Sequence, residues 1–437
     1  LTLRLQFNSI LRTMSSYYVW TIGCQMNKAE TNRIARCLSS LGYEQAQVQR
    51  EADVVVVNSC VVRQHAEDKV KSYLGYLRKA RQTGSRSRVA VTGCFVPEET
   101  AKLYRLYPVV DLFFSPGDYP AFLAWLGAAG LSSAYGSCGA GSRAVVSREF
   151  IPIVQGCNNF CTYCIVPYRR GREKSRQPED ILAEAVGLVG RGAKEIVLLG
   201  QNVNSYGHDL KDGTHMADLL RQLHELEDLR RIRFLTNHPK DMSISLIEAV
   251  SSLSKVCRHI CLPVQSGSDA VLRAMNRGYS AADYRRLVAV IRDHVSDVAL
   301  STDVIVGFPG ETDSDFCQTL GLLEDVAFDM VHAAAYSPRS GTRAASLPDD
   351  VPLPVKRRRL EEVESVQAGI AADINRRLEG SQVEVLVEGR KNGKWFGRSG
   401  SDKLVFFASP GQWQGRLVKV SVGATSAWAL QGEVVAG

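Results

Sequence analysis

Three times within the first hundred residues, a run rich in β-branched residues ends on a cysteine and gives way to a helix-length stretch. YYVWTIGC closes on Cys24 and precedes a helical stretch around 31–41, ADVVVVNSC closes on Cys60 and precedes a helix expected over 65–81, and RVAVTGC closes on Cys94. Strands separated by helices return to the same edge of a sheet and pair in parallel, so this segment is expected to be a parallel α/β sheet. Ligands of such sheets gather beyond the carboxyl ends of the strands, where all three cysteines fall. The helix after Cys60 carries Ala66, Val70, Tyr73, Leu74 and Leu77 on one face, the stripe that packing on a sheet requires. A further helix and the strand VDLFFS close the unit near Ser115.

The alternation resumes with six candidate strands, EFIPIVQ, EIVLLGQ, RIRFLTN, HICLPVQ, DVALSTDVIVGF and MVHAAAYS. Six β/α units are too few for a complete eight-stranded barrel; an open partial barrel is expected, with its chemistry at the carboxyl ends of the strands. A charged helix follows near 354–378. The last sixty residues change character: VEVLVEG, WFGRS, LVFFAS, RLVKVSV and AWALQGEVV, bounded by glycine and charged turns, read as a small antiparallel β-barrel. A chain of 437 residues exceeds one hydrophobic core. The expected division is an amino-terminal α/β domain at 16–127, a Gly, Ala and Ser-rich linker at 128–145, the partial barrel at 146–375 and the terminal barrel at 376–437. The first thirteen residues, with two arginines and no acid, read as an arm carried over from an upstream start, with Met14 as the natural beginning. The uncharged stretch 119–142 is too polar and glycine-rich to span a bilayer, so no membrane association is expected.

Eleven cysteines in a chain read as cytoplasmic point to metal ligation rather than disulfides. In VQGCNNFCTYC, Cys157, Cys161 and Cys164 follow the first barrel strand. Three thiolates on a four-iron cube leave one iron open to a small molecule. Zinc would call for a fourth Cys or His, and none lies within the next forty residues. Cys24, Cys60 and Cys94 likewise converge without a fourth partner. Cys37 continues the Ile34, Leu38 and Leu41 face and is expected in the core. Cys138 falls in the linker, Cys257 and Cys261 flank a barrel strand, and Cys317 lies in a helical stretch; none of these is expected to bind metal. The net charge of +7 favours a polyanionic partner. Nine basic residues against five acidic ones in 376–437 place more than half of that excess in the terminal unit.

The Cys-x3-Cys-x2-Cys loop, with Tyr163 before its last cysteine, resembles the signature of the radical S-adenosylmethionine (SAM) enzymes. IGCQMNKAE, VNSC, VTGC, YCIVPYRRGREKSR, GQNVNSYG, LPVQSGSDAVLRAMNRGY, DVIVGFPGE and YSPRSGT resemble the methylthiotransferases among them, and the terminal unit is similar to the RNA-binding TRAM domain. The resemblance runs from about Tyr18 to the carboxyl end. It implies two [4Fe-4S] clusters, one on Cys157, Cys161 and Cys164 and an auxiliary one on Cys24, Cys60 and Cys94. It also implies SAM, bound at the open iron and cleaved by one electron to a 5′-deoxyadenosyl radical.

CQMN and GREKSR resemble the MiaB type, which implies addition of a methylthio group to carbon 2 of N6-isopentenyladenosine next to the anticodon of tRNA. Methylthiolation of threonylcarbamoyladenosine in tRNA or of a ribosomal-protein aspartate stays open at this point, as does a non-catalytic iron–sulfur tRNA-binding protein. Tyr163, Gln201, Asn202, Gln265 and Ser266 are candidate SAM contacts, with the Gly307 to Glu311 turn beside them, although each strand-end polar residue is equally readable as turn chemistry. His238 reads as a structural histidine or a substrate contact, and the Lys356 to Arg359 run as a solvated helix face rather than a tRNA contact. No catalytic residue is read beyond the cluster ligands. The expected partners are the tRNA anticodon stem-loop and an electron donor such as flavodoxin or ferredoxin. The sulfur donor is not legible, and a monomer is expected.

Overall fold

A computed structural model describes residues 15–60, 64–97, 99–128 and 147–435. The amino-terminal arm, Cys138 and all but the first residue of the expected linker lie outside them. The chain falls into two compact units, 1–143 and 144–437.

In the first unit β1 (Ser16–Ile22), α1 (Gln25–Ser40), β2 (Glu44–Gln45), β3 (Val54–Ser59), α2 (Gln64–Gln82), β4 (Arg88–Gly93), α3 (Ala101–Leu106), β5 (Leu112–Phe113) and α4 (Tyr119–Trp125) follow in order. The sheet runs β2-β1-β3-β4-β5, parallel throughout, as expected. Its centre is β3, buried at every position, because helices on both faces demand an unbroken apolar strand rather than an alternating one. Ala66, Val70, Leu74 and Leu77 of α2 are buried, and Tyr73 stacks on Trp20 at 4.4 Å. Cys37 lies in the core. One boundary differs from expectation: α1 begins at Gln25 rather than near Thr31. Its first turn is polar, and the Asn27 side chain accepts the Cys24 N–H in place of an upstream carbonyl.

The second unit contains all six barrel strands. The first candidate is split: β6 (Arg148–Pro152) enters the barrel, whereas β7 (Val154–Gln155) pairs antiparallel with β8 (Lys174–Ser175), the two enclosing α5 (Val166–Arg170). Then come α6 (Pro178–Gly190), β9 (Glu195–Leu199), α7 (Met216–His224), β10 (Arg231–Phe234), α8 (Ile244–Ser252) and β11 (His259–Cys261). They are followed by α9 (Asp269–Ala274), α10 (Ala281–His294), β12 (Ala299–Val306), α11 (Asp313–Val326), β13 (Met330–Ala335) and α12 (Leu353–Arg376). β10-β9-β6 and β11-β12-β13 form two parallel sheets, joined by one bridge between Ile232 and Val256. Ile151, Ile196, Leu198, Ile232, Ile260, Leu262 and Val304 belong to their common core. The basic run at the start of α12 is only half solvated, contrary to expectation. Lys356 and Arg359 are each 3% exposed. Arg359 donates to Glu311 at 2.7 Å and Lys356 to Asp349 at 2.5 Å, because the first and last of four consecutive helical residues lie on one face and here both point inward.

The terminal strands β14 (Gln382–Lys391), β15 (Lys394–Ser399), β16 (Leu404–Phe407), β17 (Leu417–Thr425) and β18 (Leu430–Val434) close a barrel in the order β14-β15-β16-β18-β17. Four neighbouring pairs are antiparallel and β16–β18 is parallel. An odd ring cannot alternate direction all the way round, so the purely antiparallel expectation fails at one seam. The small barrel is bound to the amino-terminal ends of the large one by charge. Arg148 donates to Glu388 at 3.2 Å, Arg231 to Glu384 at 2.9 Å and Arg233 to the Ser399 carbonyl at 3.1 Å. Glu195, 1% exposed, sits among the three arginines. Among the described residues no helix is long and apolar enough to cross a membrane.

Candidate active site

The carboxyl edge of the first sheet brings three thiols onto adjacent strands. Ile22 pairs with Ser59 and Ser59 with Gly93, so Cys60 and Cys94 leave neighbouring strands at the same level and Cys24 follows two residues after β1. The Cys60 N–H donates to the Ile22 carbonyl at 2.9 Å and the Cys94 N–H to the Ser59 carbonyl at 2.7 Å. Gly93 has φ +92°, and a Cβ there would collide with the Ser59 carbonyl, so this approach requires glycine. Two buried asparagines lock the edge: Asn27 Nδ2 donates to Asn58 Oδ1 at 2.9 Å, and Asn58 Nδ2 donates to the Asn27 carbonyl at 2.8 Å. They are the Asn of CQMN and of VNSC, and sequence reasoning gave them no role. Cys24 caps α1, where the helix dipole favours a thiolate.

In the second unit β6 and β7 deliver the chain to the loop holding Cys157, Cys161 and Cys164. Gly156, at φ +82°, packs against the Arg172 carbonyl where no side chain fits, and its N–H donates to Gln201 Oε1 at 2.7 Å. Asn158 N–H donates to Glu173 Oε1 at 3.1 Å, while Glu173 N–H donates to Asn158 Oδ1 at 3.3 Å. Thr162 N–H donates to the Met275 carbonyl and its hydroxyl to the Ala274 carbonyl. Burial pushes the Cys157 thiol up and the Cys164 thiol up to about 12. Three free thiolates would be costly there; iron taking the place of the protons relieves that cost. Arg277, 4% exposed, donates to Cys161 Sγ and to Tyr163 OH, both at 3.3 Å. Among the described residues no three His, Cys, Asp or Glu side chains converge as ligands of a single metal ion must. Thiolates on different irons of a cube stand farther apart.

Beyond the carboxyl ends of β9, β10 and β11 lie four buried polar atoms without a hydrogen-bond partner: Asn202 Oδ1, Asn237 Oδ1, His238 Nε2 and Gln265 Oε1. Such atoms cost free energy unless a ligand or water satisfies them, so their convergence on one end of the barrel fits a polar ligand. Phe160, Thr236 and Gln265 add left-handed backbone, with φ of +49°, +65° and +74°. In a β-branched residue such as Thr236 that conformation is strained, and such strain collects at functional sites.

Among the candidate SAM contacts, Asn202 and Gln265 present these orphan oxygens, and Asn202 Nδ2 donates to Asp241 at 2.7 Å. Gln201 is committed to Gly156, and Tyr163 accepts from Arg277. Ser266 Oγ is hydrogen-bonded to Thr319 Oγ1 at 3.2 Å and accepts from Ser268 N–H. Glu311 accepts from Gly307 N–H and from Arg359, which ties its turn to α12. His238 Nδ1 accepts from Lys240 N–H at 3.2 Å. Burial, with Arg277 and Lys240 nearby, lowers its pKa to about 2, so the imidazole is neutral and carries its proton on the orphan Nε2. Asn237, Asp241 and Arg277 carry no local signal of a role: Asn237 ends RIRFLTN and Arg277 lies in LPVQSGSDAVLRAMNRGY, but neither segment singles the residue out.

An open parallel barrel with a three-cysteine loop after its first strand defines the radical SAM class, and the Radical SAM superfamily profile matches residues 151–323. The profile described as uncharacterized protein family UPF0004 matches 16–115, and the TRAM domain matches 376–435. The tRNA-2-methylthio-N(6)-dimethylallyladenosine synthase of Dehalococcoides mccartyi strain 195 is 47% identical over 427 residues, 97% of this chain and 99% of the relative. That of Moorella thermoacetica is 40% identical over 98% of this chain and 100% of its own length. The chain belongs to the family of these synthases, the MiaB-type methylthiotransferases. Among solved structures, the radical SAM methyltransferase TsrM from Kitasatospora setae aligns with TM-score 0.55 at 13% identity, covering 76% of this chain and 77% of that one. The cobalamin-dependent radical enzyme OxsB aligns with TM-score 0.51 at 11% identity, covering 81% and 56%. At these identities the likeness is one of fold. Membership in the radical SAM family brings a [4Fe-4S] cluster and SAM as cofactors.

Proposed function

We propose that this chain adds a methylthio group to carbon 2 of N6-dimethylallyladenosine, the isopentenyladenosine beside the tRNA anticodon. Identity of 47% across 97% of the chain to a synthase named for that product carries the reading. Cys157, Cys161 and Cys164 hold the radical SAM cluster, and Cys24, Cys60 and Cys94 hold a second one that carries the transferable sulfur. When bound, the cofactors supply a carbon radical equal to the strong, non-acidic C–H bond of adenine carbon 2, which acid–base groups cannot break.

The protein's own residues hold and orient. Asn202, Asn237 and Gln265 offer carbonyl oxygens to the amino and hydroxyl donors of SAM, and His238 offers a neutral N–H to an acceptor. All four residues are buried, so water competes little with their contacts.

The terminal barrel supplies affinity for tRNA. Three of its acids, Glu384, Glu388 and Asp402, face arginines of the large barrel. Setting these aside with Arg398 and Lys403, which lie at the same junction, leaves seven basic residues against two acidic ones for contact with phosphates. The same reading divides the chain at 16–127, 146–375 and 376–437, with a monomer working in the cytoplasm on electrons from a carrier such as flavodoxin or ferredoxin.

The test is mass spectrometry of tRNA nucleosides and ribosomal proteins from a strain lacking the gene. Loss of 2-methylthio-N6-isopentenyladenosine with intact ribosomal-protein modification is expected. Unchanged tRNA nucleosides with a missing protein modification would overturn the substrate.

A further inference from the structure

Arg277 is 4% exposed, yet among the described residues no carboxylate lies within ion-pair distance of it. Its guanidinium is spread over one sulfur and three oxygens: Nη1 to Cys161 Sγ and Tyr163 OH at 3.3 Å each, Nη2 to the Pro263 carbonyl at 2.7 Å, and Nε to Tyr279 OH at 2.8 Å. A tyrosine hydroxyl is neutral at ordinary pH, so neither phenol balances the charge. A guanidinium does not deprotonate in a protein, and a buried charge without a counter-charge costs several kcal/mol. The remaining group in contact with it is the Cys161 sulfur, which is anionic whenever it ligates iron.

Two other buried arginines of the unit are paired with carboxylates. Arg233 and Arg359 face Glu195 and Glu311. Arg277 alone among these three is aimed at sulfur.

We infer that Arg277 is the counter-cation of the Cys157–Cys161–Cys164 cluster, and that by hydrogen bonding to the Cys161 sulfur it raises the potential at which that cluster accepts an electron. The inference rests on the reading that these cysteines hold a [4Fe-4S] cluster. Reduction adds one negative charge to the cluster, and a fixed positive charge with an N–H aimed at a ligand sulfur stabilises the reduced state more than the oxidised one. Charge and hydrogen bonds to sulfur are two established determinants of such potentials. The fork to Pro263 and Tyr279 fixes the guanidinium in place, so little reorganisation accompanies the electron.

The experiment is a redox titration followed by electron paramagnetic resonance on the full chain, reconstituted without oxygen, in a Cys24→Ala/Cys60→Ala/Cys94→Ala background so that one cluster gives the signal. Arg277→Gln keeps polar contact with the Pro263 carbonyl and removes the charge; Arg277→Lys keeps the charge and loses the fork. Arg277→Gln should retain its iron and shift the midpoint negative, with a reduced-to-oxidised ratio about tenfold lower at a fixed poise, the size expected for one hydrogen bond to a charged group. Arg277→Lys should recover most of the shift. An unchanged midpoint in iron-replete Arg277→Gln would overturn the inference. So would wild-type midpoints in both variants accompanied only by lower thermal stability, the mark of a purely structural arginine. Failure of the Arg277-containing parent to assemble a cluster at all would instead refute the ligand assignment beneath it.

Discussion

Replacing Glu195 with alanine tests how the two barrels are joined. Glu195 is 1% exposed and lies 3.0 Å from Arg148 Nε, 3.2 Å from Arg233 Nε and 4.0 Å from Arg231 Nη1. The three arginine side chains are 15%, 0% and 6% exposed. Their other acidic partners, Glu384, Glu388 and Asp402, belong to the terminal barrel and are 55%, 26% and 25% exposed. Burial works against the charge of Arg233, but Cys257, Glu195 and Asp402 hold it firmly protonated. Glu195→Ala therefore strands guanidinium charge in a buried site, for which about 3–5 kcal/mol of lost stability is expected. Arg233→Met added to it removes the most buried of these charges and should restore most of the loss, giving a coupling of a few kcal/mol in a double-mutant cycle. Urea unfolding of the cluster-free protein, followed by tryptophan fluorescence, measures both, since Trp395, Trp413 and Trp428 all lie in the terminal barrel. A Glu195→Ala variant within about 1 kcal/mol of wild type, with no recovery in the double variant, would refute the reasoning.

Loss of Cys24, Cys60 and Cys94 together should leave about half the iron and intact SAM cleavage, with no methylthio product, because the stoichiometry of two four-iron clusters splits evenly; normal product yield would remove the sulfur-carrier role. Arg390, Lys391 and Lys394 are exposed on the β14–β15 hairpin. Changing all three to alanine should weaken tRNA binding and flatten the slope of log affinity against log salt by about two, whereas an unchanged slope would place the RNA contact elsewhere. Burial, with Arg233 nearby, depresses the buried His259 to a pKa of about 4. The unfolded chain therefore takes up a proton first. Stability should be full above about pH 6.5 and fall by up to about 3 kcal/mol as pH drops toward 4. Urea midpoints across that range should lose part of their slope in His259→Gln, and an identical slope would exclude this histidine as a source of acid lability.

Periodicity is local, and what it reports was legible. Valines without interruption marked β3, alternating segments marked the six barrel strands, and cysteine spacing marked both strand-end loops. The errors lie where a distant partner decides. Arg359 reads as a solvated charge until Glu311, 48 residues away, is seen to be buried against it. Other contacts are hidden for the same reason: the oxygen of Gln201, a candidate SAM contact, also accepts the N–H of Gly156, 45 residues away. Arg277 lies 116 residues from Cys161, and no local pattern announces a cation aimed at sulfur. The parallel seam between β16 and β18 follows from ring closure, a property of the assembled barrel rather than of any one strand.

Methylthiolation is read out by incubating the anaerobically reconstituted chain with SAM, a low-potential reductant and tRNA bearing N6-isopentenyladenosine, then digesting the tRNA and analysing it by mass spectrometry alongside the small molecules. The expected products are 2-methylthio-N6-isopentenyladenosine together with 5′-deoxyadenosine, and neither from a Cys157→Ala, Cys161→Ala or Cys164→Ala variant. Unmodified tRNA without 5′-deoxyadenosine from a cluster-replete wild-type protein that still binds the tRNA would contradict this activity, leaving an iron–sulfur RNA-binding protein in place of an enzyme.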